Sequence, residues 1–220
     1  MNSQAPSLSR GASTLRVARH LLLAASLLAL TTSIAAARPP AIAASPQAPG
    51  DFGRPHPEAA EELSQFAFLI GRWSCDLDYL NPDLTTRTQS QGTWTAYYAL
   101  DGHAIMDDFR GGFGEGYIAT TFRAFNRQDK RWNGYWLDGR RGFWSQPLVG
   151  AMRGDEMLLE TRIKARNSAG EIIDLDLEYN FYDIQKDRFR WRQHTSFDGK
   201  KTWRKETMRI DCRRVLEPET

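Results

Sequence analysis

From Trp73 onward the chain alternates. Trp73, Cys75, Leu77 and Tyr79 take one parity, and Arg72, Ser74, Asp76 and Asp78 the other. Phe189, Trp191, Gln193, Thr195 and Phe197 likewise alternate with Arg188, Arg190, Arg192, His194 and Ser196. A period of two marks a strand with one face buried. Asn81-Pro82-Asp83 ends the first such segment. Strands are then expected at 91–100, 103–110, 117–126, 131–137, 142–152, 156–166, 171–183, 189–197 and 201–215. Between them stand Asp101-Gly102, a glycine-rich loop at 111–116, Arg127-Gln128-Asp129-Lys130, Asp138-Gly139, Gly154-Asp155, Asn167-Ser168-Ala169-Gly170 and Asp198-Gly199. Asp-Gly between alternating runs is a strong hairpin signal.

Turns this short force successive strands to be antiparallel neighbours. The pattern therefore predicts an all-β chain: an antiparallel up-and-down β-barrel of about ten strands. Closure is favoured because an open sheet of that width leaves two unpaired edges and a large apolar face. A two-sheet sandwich is the alternative, but few connections are long enough for its crossovers. A short helix is expected at 58–65, with Pro57 in its first turn and glutamates near its positive end. Phe66, Phe68 and Leu69 would pack it on the barrel.

The first part of the chain reads differently. Residues 1–37 hold Arg10, Arg16 and Arg19, no acid, the apolar run from Leu21 to Leu30, and then Ala35-Ala36-Ala37. This order is that of a cleaved secretory signal, and the run is too short to span a bilayer. Ala41-Ile42-Ala43 is a second possible cleavage site. No Cys follows the run and no Arg-Arg pair precedes it, which points to the general secretory route. Residues 38–57, with six prolines among Ala, Ser and Gly, are expected to form a Pro/Ala-rich disordered linker. The barrel domain would then occupy 58–216. The location implied is the periplasm or the exterior, with no stable membrane span after cleavage. Without the signal's three arginines, 26 Lys and Arg face 27 Asp and Glu, a net charge of −1. No basic surplus is left to draw nucleic acid.

Phe68-Leu69-Ile70-Gly71-Arg72-Trp73 resembles the Gly-x-Trp opening of lipocalin-like (calycin) barrels. The segments 100–108 and 122–127 are similar to an uncharacterised family of secreted bacterial calycin-like domains, over roughly residues 63–214. The resemblance implies a barrel whose closed end is plugged by Trp73, and no particular activity. The likeness to nitrobindin-type haem barrels is one of general form; no residue matches their proximal histidine.

Cys75 and Cys212 are the only cysteines. If the meander closes, they lie on adjacent strands and both point inward. An oxidising compartment then favours a disulfide across the seam over two buried thiols. Strand parity also places polar groups inside: Arg204 and Glu206 with Met208, Ile210 and Cys212, and Gln193 and Thr195 with Trp191. His103 and Asp107 join them if Ile105 and Phe109 face in. Tyr98, Trp136, Trp144, Tyr179 and Phe181 would supply walls. Against this, His103 follows a turn and is expected to be exposed. His194, in phase with three arginines, is expected to face solvent.

An aromatic interior with few polar groups is the usual form of a small-molecule site. The leading expectation is a barrel that binds a small, largely apolar molecule, with Arg204, Glu206, Gln193, Trp191, Tyr98, Trp136 and Tyr179 as ligand-binding residues. No cofactor is implied. A barrel enzyme, with Glu206 or His103 and Asp107 as general acid and base, is an alternative. So is a filled scaffold acting through the outer stripe Arg188, Arg190 and Arg192. The glycine-rich loop lacks the Lys-Ser/Thr end of a phosphate loop. The chain contains no paired metal-ligand spacing and no Gly-x-Ser-x-Gly elbow. Asp107 and Asp108 are adjacent on a strand and so face opposite ways.

Overall fold

A computed structural model describes residues 51–81, 83–112, 116–166 and 170–216. The expected signal, most of the expected linker, and the tips of the loops at 111–116 and 167–170 lie outside the described residues. The strands are β1 (Gly71–Leu80), β2 (Arg87–Ala99), β3 (Ala104–Gly111), β4 (Tyr117–Asn126), β5 (Arg131–Asp138), β6 (Phe143–Trp144), β7 (Leu148–Arg153), β8 (Glu156–Arg166), β9 (Ile172–Tyr182), β10 (Arg188–Ser196) and β11 (Arg204–Arg214).

All pairings are antiparallel, and the sheet closes. Around the ring the order is β1-β2-β3-β4-β5-β7-β8-β9-β10-β11, with β11 returning to β1. Ten strands therefore form a closed up-and-down barrel, and the two-residue β6 is a short addition beside β5. The sandwich alternative is excluded. The single strand expected over 142–152 is two, β6 and β7, because Pro147 has no N–H to offer β5. Ser145 bridges the break: its N–H donates to the Trp136 carbonyl, and its hydroxyl accepts from the Trp136 N–H.

The seam is where the alternation placed it. Trp73, Cys75, Leu77 and Tyr79 face Arg214, Cys212, Ile210 and Met208 across β1 and β11. Cys75 and Cys212 lie directly opposite one another and are joined by a disulfide, with 4.1 Å between their Cα atoms. Such a short separation belongs to the close type of antiparallel pair, the one type able to accept this bond.

One end is plugged. The helix expected at 58–65 is instead a 3₁₀ helix, Glu61–Leu69, which buries Leu63, Phe66 and Leu69. Its start is later than Pro57 suggested, and Ala60 provides no side-chain cap. The helix runs on through Phe68 because its apolar residues are needed on the barrel. Phe66 meets Trp132 and Phe181 edge-on at 4.7 and 5.5 Å. Trp73 Nε1 donates to the Leu69 carbonyl at 2.8 Å. Arg214, at the end of the last strand, lies 4.1 Å from the Trp73 ring and donates to the carbonyls of Phe68 and Ile70. Residues ahead of the helix are tied on as well: the Tyr98 N–H donates to the Phe52 carbonyl and the His56 N–H to that of Gly102.

Close packing also constrains backbone. A Cβ on Gly150 would lie 1.9 Å from the Leu158 carbonyl oxygen, so β7 and β8 can meet there only without a side chain. No helix among the described residues is long and apolar enough to cross a membrane.

Candidate functional site

Beyond the plug, the barrel is hollow. A cavity of about 250 Å³ is bounded by side chains from most of the ring, slightly below the usual range for small-molecule sites. Trp94 and Phe109 come from β2 and β3; Tyr117, Thr121 and Arg123 from β4; and Trp136 from β5. Leu159, Ile163, Leu175, Leu177 and Tyr179 complete the far side with Trp191, Gln193 and Thr195 of β10. Tyr179 and Trp191 stack in parallel at 5.2 Å, giving the wall a flat aromatic surface. Burial raises the Tyr179 phenol, so its hydroxyl stays protonated.

Four of the seven expected ligand-binding residues line this space: Trp191, Gln193, Trp136 and Tyr179. Three do not. Tyr98 packs half-buried against the core beside the N-terminal segment. Arg204 is exposed, with Nη1 near the Leu84 carbonyl at 3.4 Å. Glu206 turns to the outside, towards Arg209. The cause is a break in register. Gln193 faces Met208, but Thr195 faces Arg204, so β11 carries two extra residues there. Glu206 absorbs the bulge with φ of +52°. Parity counted back from Cys212 therefore fails within the bulge, where Thr207 takes the inner place in front of Glu206; two extra residues restore it at Arg204, which pairs with Thr195 yet is exposed. Thr207 and Thr195 hydroxyls are 2.8 Å apart, and Gln193 Nε2 donates to both at 3.1 Å.

The same bulge corrects the reading of His194. Its side chain is only 7% exposed rather than solvent-facing. Nδ1 accepts the Glu206 backbone N–H at 2.8 Å, so the bulge is tied to an unprotonated ring nitrogen. Burial first, then the charges of Lys205 and Arg192, hold its pKa below the usual histidine value. Phe197 and Trp144, expected inside, are 49% and 61% exposed: Phe197 lies just past the end of β10, and Trp144 ends the two-residue β6 ahead of Pro147. His103 is exposed, as its turn position indicates, and stacks on His56 at 4.3 Å.

Asp107 does face inward with Ile105 and Phe109, and is fully buried. Its partner was missed. Arg123, only 3% exposed, donates from Nη2 to Asp107 Oδ2 across β3 and β4. The guanidinium lies 4.7 Å from the Phe66 ring, which places the pair on the plug side of the cavity. Burial raises the Asp107 carboxyl, while the charge of Arg123 opposes that rise. Because arginine keeps its proton, protonating Asp107 would strand a buried cation, and the pair is held ionic. Arg123 Nε and Nη1 complete no hydrogen bond.

The enzyme residues named from the sequence are not brought together. Glu206 is outside, His103 is on an exposed turn, and Asp107 is inside. Nor is the arginine stripe a free cationic face: Arg188 and Arg190 pair with Asp211, and Arg192 with Glu156. Among the described residues, no cluster of three His, Cys, Asp or Glu side chains is arranged to hold a metal ion.

Comparison with known proteins adds little. No family model matches the chain, and no curated protein matches it. Among solved structures it is similar to Rv2717c from M. tuberculosis, at 15% identity and a TM-score of 0.47, over 72% of this chain and all of that one.

Proposed function

We propose that this protein is an exported barrel that takes a small, largely apolar molecule into its interior. The observation that carries the reading is a cavity of about 250 Å³ walled by aromatic and aliphatic side chains, with a few polar groups at its two ends. A chain selected only for stability gains by filling such space, since lost contacts and cavity surface both cost free energy. Trp191, Tyr179 and Trp136 provide the apolar contact. Gln193 orients a polar atom at one end, and Asp107, Thr121 and Arg123 at the other. Arg204, Glu206 and Tyr98 are left out of the site. The partner is this small molecule and not a nucleic acid, since the mature chain has no basic surplus.

Export to the periplasm or the exterior is supported by the arginine-led apolar N-terminus and by a disulfide suited to an oxidising compartment. Membership of the calycin-like family is part of the same proposal, supported by Trp73 and Arg214 closing the barrel base.

Binding is tested with naphthalene-type probes followed by quenching of tryptophan fluorescence. Saturable binding that is lost when Leu177→Trp fills the cavity supports the reading. Binding unaffected by that substitution in a folded variant refutes it. Amino-terminal sequencing of the protein recovered from its host tests export; a chain that still begins at Met1 refutes cleavage.

A further inference from the structure

Of the polar residues around the cavity, the Asp107–Arg123 pair has unspent bonding capacity. Gln193, Thr195 and Thr207 satisfy one another at the opposite end. Arg123 spends Nη2 on Asp107, whereas Nε and Nη1 donate to nothing. A buried arginine with idle N–H groups is costly, and such groups call for a partner. Among the described residues, Arg123 and Asp107 are also the only charged ones in the cavity wall, so the two charges at this end balance.

We infer, resting on the binding proposal above, that Arg123 selects a neutral ligand bearing an oxygen acceptor, such as a ketone, lactone or amide carbonyl. Three features combine to define this class. The idle groups of Arg123, with Trp94 Nε1 beside them, are donors and call for an acceptor, while the idle Oδ1 of Asp107 leaves room for an N–H on the same head, as an amide carries. Asp107 already neutralises the guanidinium, so an anionic head would leave an uncompensated buried negative charge beside a carboxylate. The stacked Tyr179 and Trp191 rings favour a flat apolar body attached to that head. Phe66 backs the guanidinium and limits its retreat into the plug.

The experiment compares three probes of one shape: 2-acetylnaphthalene, 2-isopropylnaphthalene and 2-naphthoate. Binding of each is measured by calorimetry on the native, disulfide-bonded protein. The ketone is expected to bind about tenfold more tightly than the isopropyl compound, the usual gain for a hydrogen bond to a charged donor. The carboxylate is expected to bind more weakly than the ketone. In Asp107→Leu/Arg123→Met, which removes both charges together, the ketone's advantage should fall to about onefold while the isopropyl compound still binds. A shift of the Arg123 Nε–H resonance with the ketone, and none with the isopropyl compound, supports the same contact without any substitution. Equal binding of ketone and isopropyl compound overturns this inference and leaves the apolar site standing. Tightest binding by the carboxylate overturns the neutral-head assignment. Binding by none of the three overturns both proposals.

Discussion

Removing the seam disulfide should destabilise the barrel by several kcal/mol. Cys75 and Cys212 are 137 positions apart, so the bond closes almost the whole folded domain into one loop. In the chain-entropy model a loop of that length constrains the unfolded chain by about 5 kcal/mol. The native strands are already adjacent at this point, with 4.1 Å between the Cα atoms, so forming the bond demands little movement of the sheet. Cys75→Ala/Cys212→Ala also deletes two buried sulfur atoms from the core, an added cost of the same sign. For a domain of this size, 5 kcal/mol lowers the melting temperature by roughly 10–20 °C. Urea unfolding of the oxidised protein and the double variant provides the comparison. The slope of the transition should rise in the variant, because its unfolded chain is free to expand and expose more surface. A difference in unfolding free energy below about 1 kcal/mol would refute the entropic argument. Two titratable thiols in the unfolded, unreduced protein would remove its premise.

Three other perturbations probe different parts of the molecule. Asp107→Ala leaves Arg123 as a buried, unpaired cation and should cost about 3–5 kcal/mol, whereas Asp107→Leu/Arg123→Met should recover most of that loss; denaturant midpoints decide, and a double variant no better than the single one contradicts the electrostatic account. Because the folded pKa of His194 is depressed, its contribution is fully present above the unfolded value of about 6.5 and declines as pH falls from there towards the folded pKa. Melting temperature between pH 8 and pH 5 should therefore drop less in His194→Asn than in the native protein; parallel curves would rule the ring out as the titrating group. Arg214→Met removes three charged hydrogen bonds, to the carbonyls of Phe68, Ile70 and Lys186, and the contact with the Trp73 ring, for a loss of about 2–4 kcal/mol by thermal or chemical unfolding. A change under about 0.5 kcal/mol would mean that the plug does not need its clasp.

Most of the barrel could be read from alternation because β1, the first part of β10 and the last part of β11 keep strict parity with one apolar face. Trp73, Cys75, Leu77, Ile210 and Cys212 are all inside for that reason. The misplaced residues lie at breaks that parity cannot register. Glu206 lies in a bulge held by the bond of its own N–H to His194, twelve residues away, and Arg204 lies just past it. Trp144 precedes Pro147, where one expected strand becomes two. Arg123 was obscured for another reason. On β4 the two parities are equally apolar, and Phe122 stands in a cross-strand row with Tyr97, Met106 and Tyr135 on the outside of the barrel. An apolar outer face removes the contrast on which parity depends, and an arginine among the inner residues then looks like a surface residue. Its burial becomes visible only once Asp107 and Phe66 are placed beside it.

The buried pair is also the feature that stability alone explains least. A salt bridge taken out of water generally gains no more than well-packed apolar residues of the same volume. The outer ion pairs, such as Arg188 with Asp211, remain partly hydrated and contribute little either way. Asp107 and Arg123 have no such access, and Arg123 keeps N–H groups idle at full desolvation. Yet these two residues border the cavity, whereas the plug behind them is packed with Leu63, Phe66, Leu69 and Trp132, and its charged clasp, Arg214, sits at the barrel base. An apolar substitute at 107 and 123 would extend that plug at no electrostatic cost. Charge retained at the boundary between plug and cavity is accounted for when a guest in the cavity completes its hydrogen bonds.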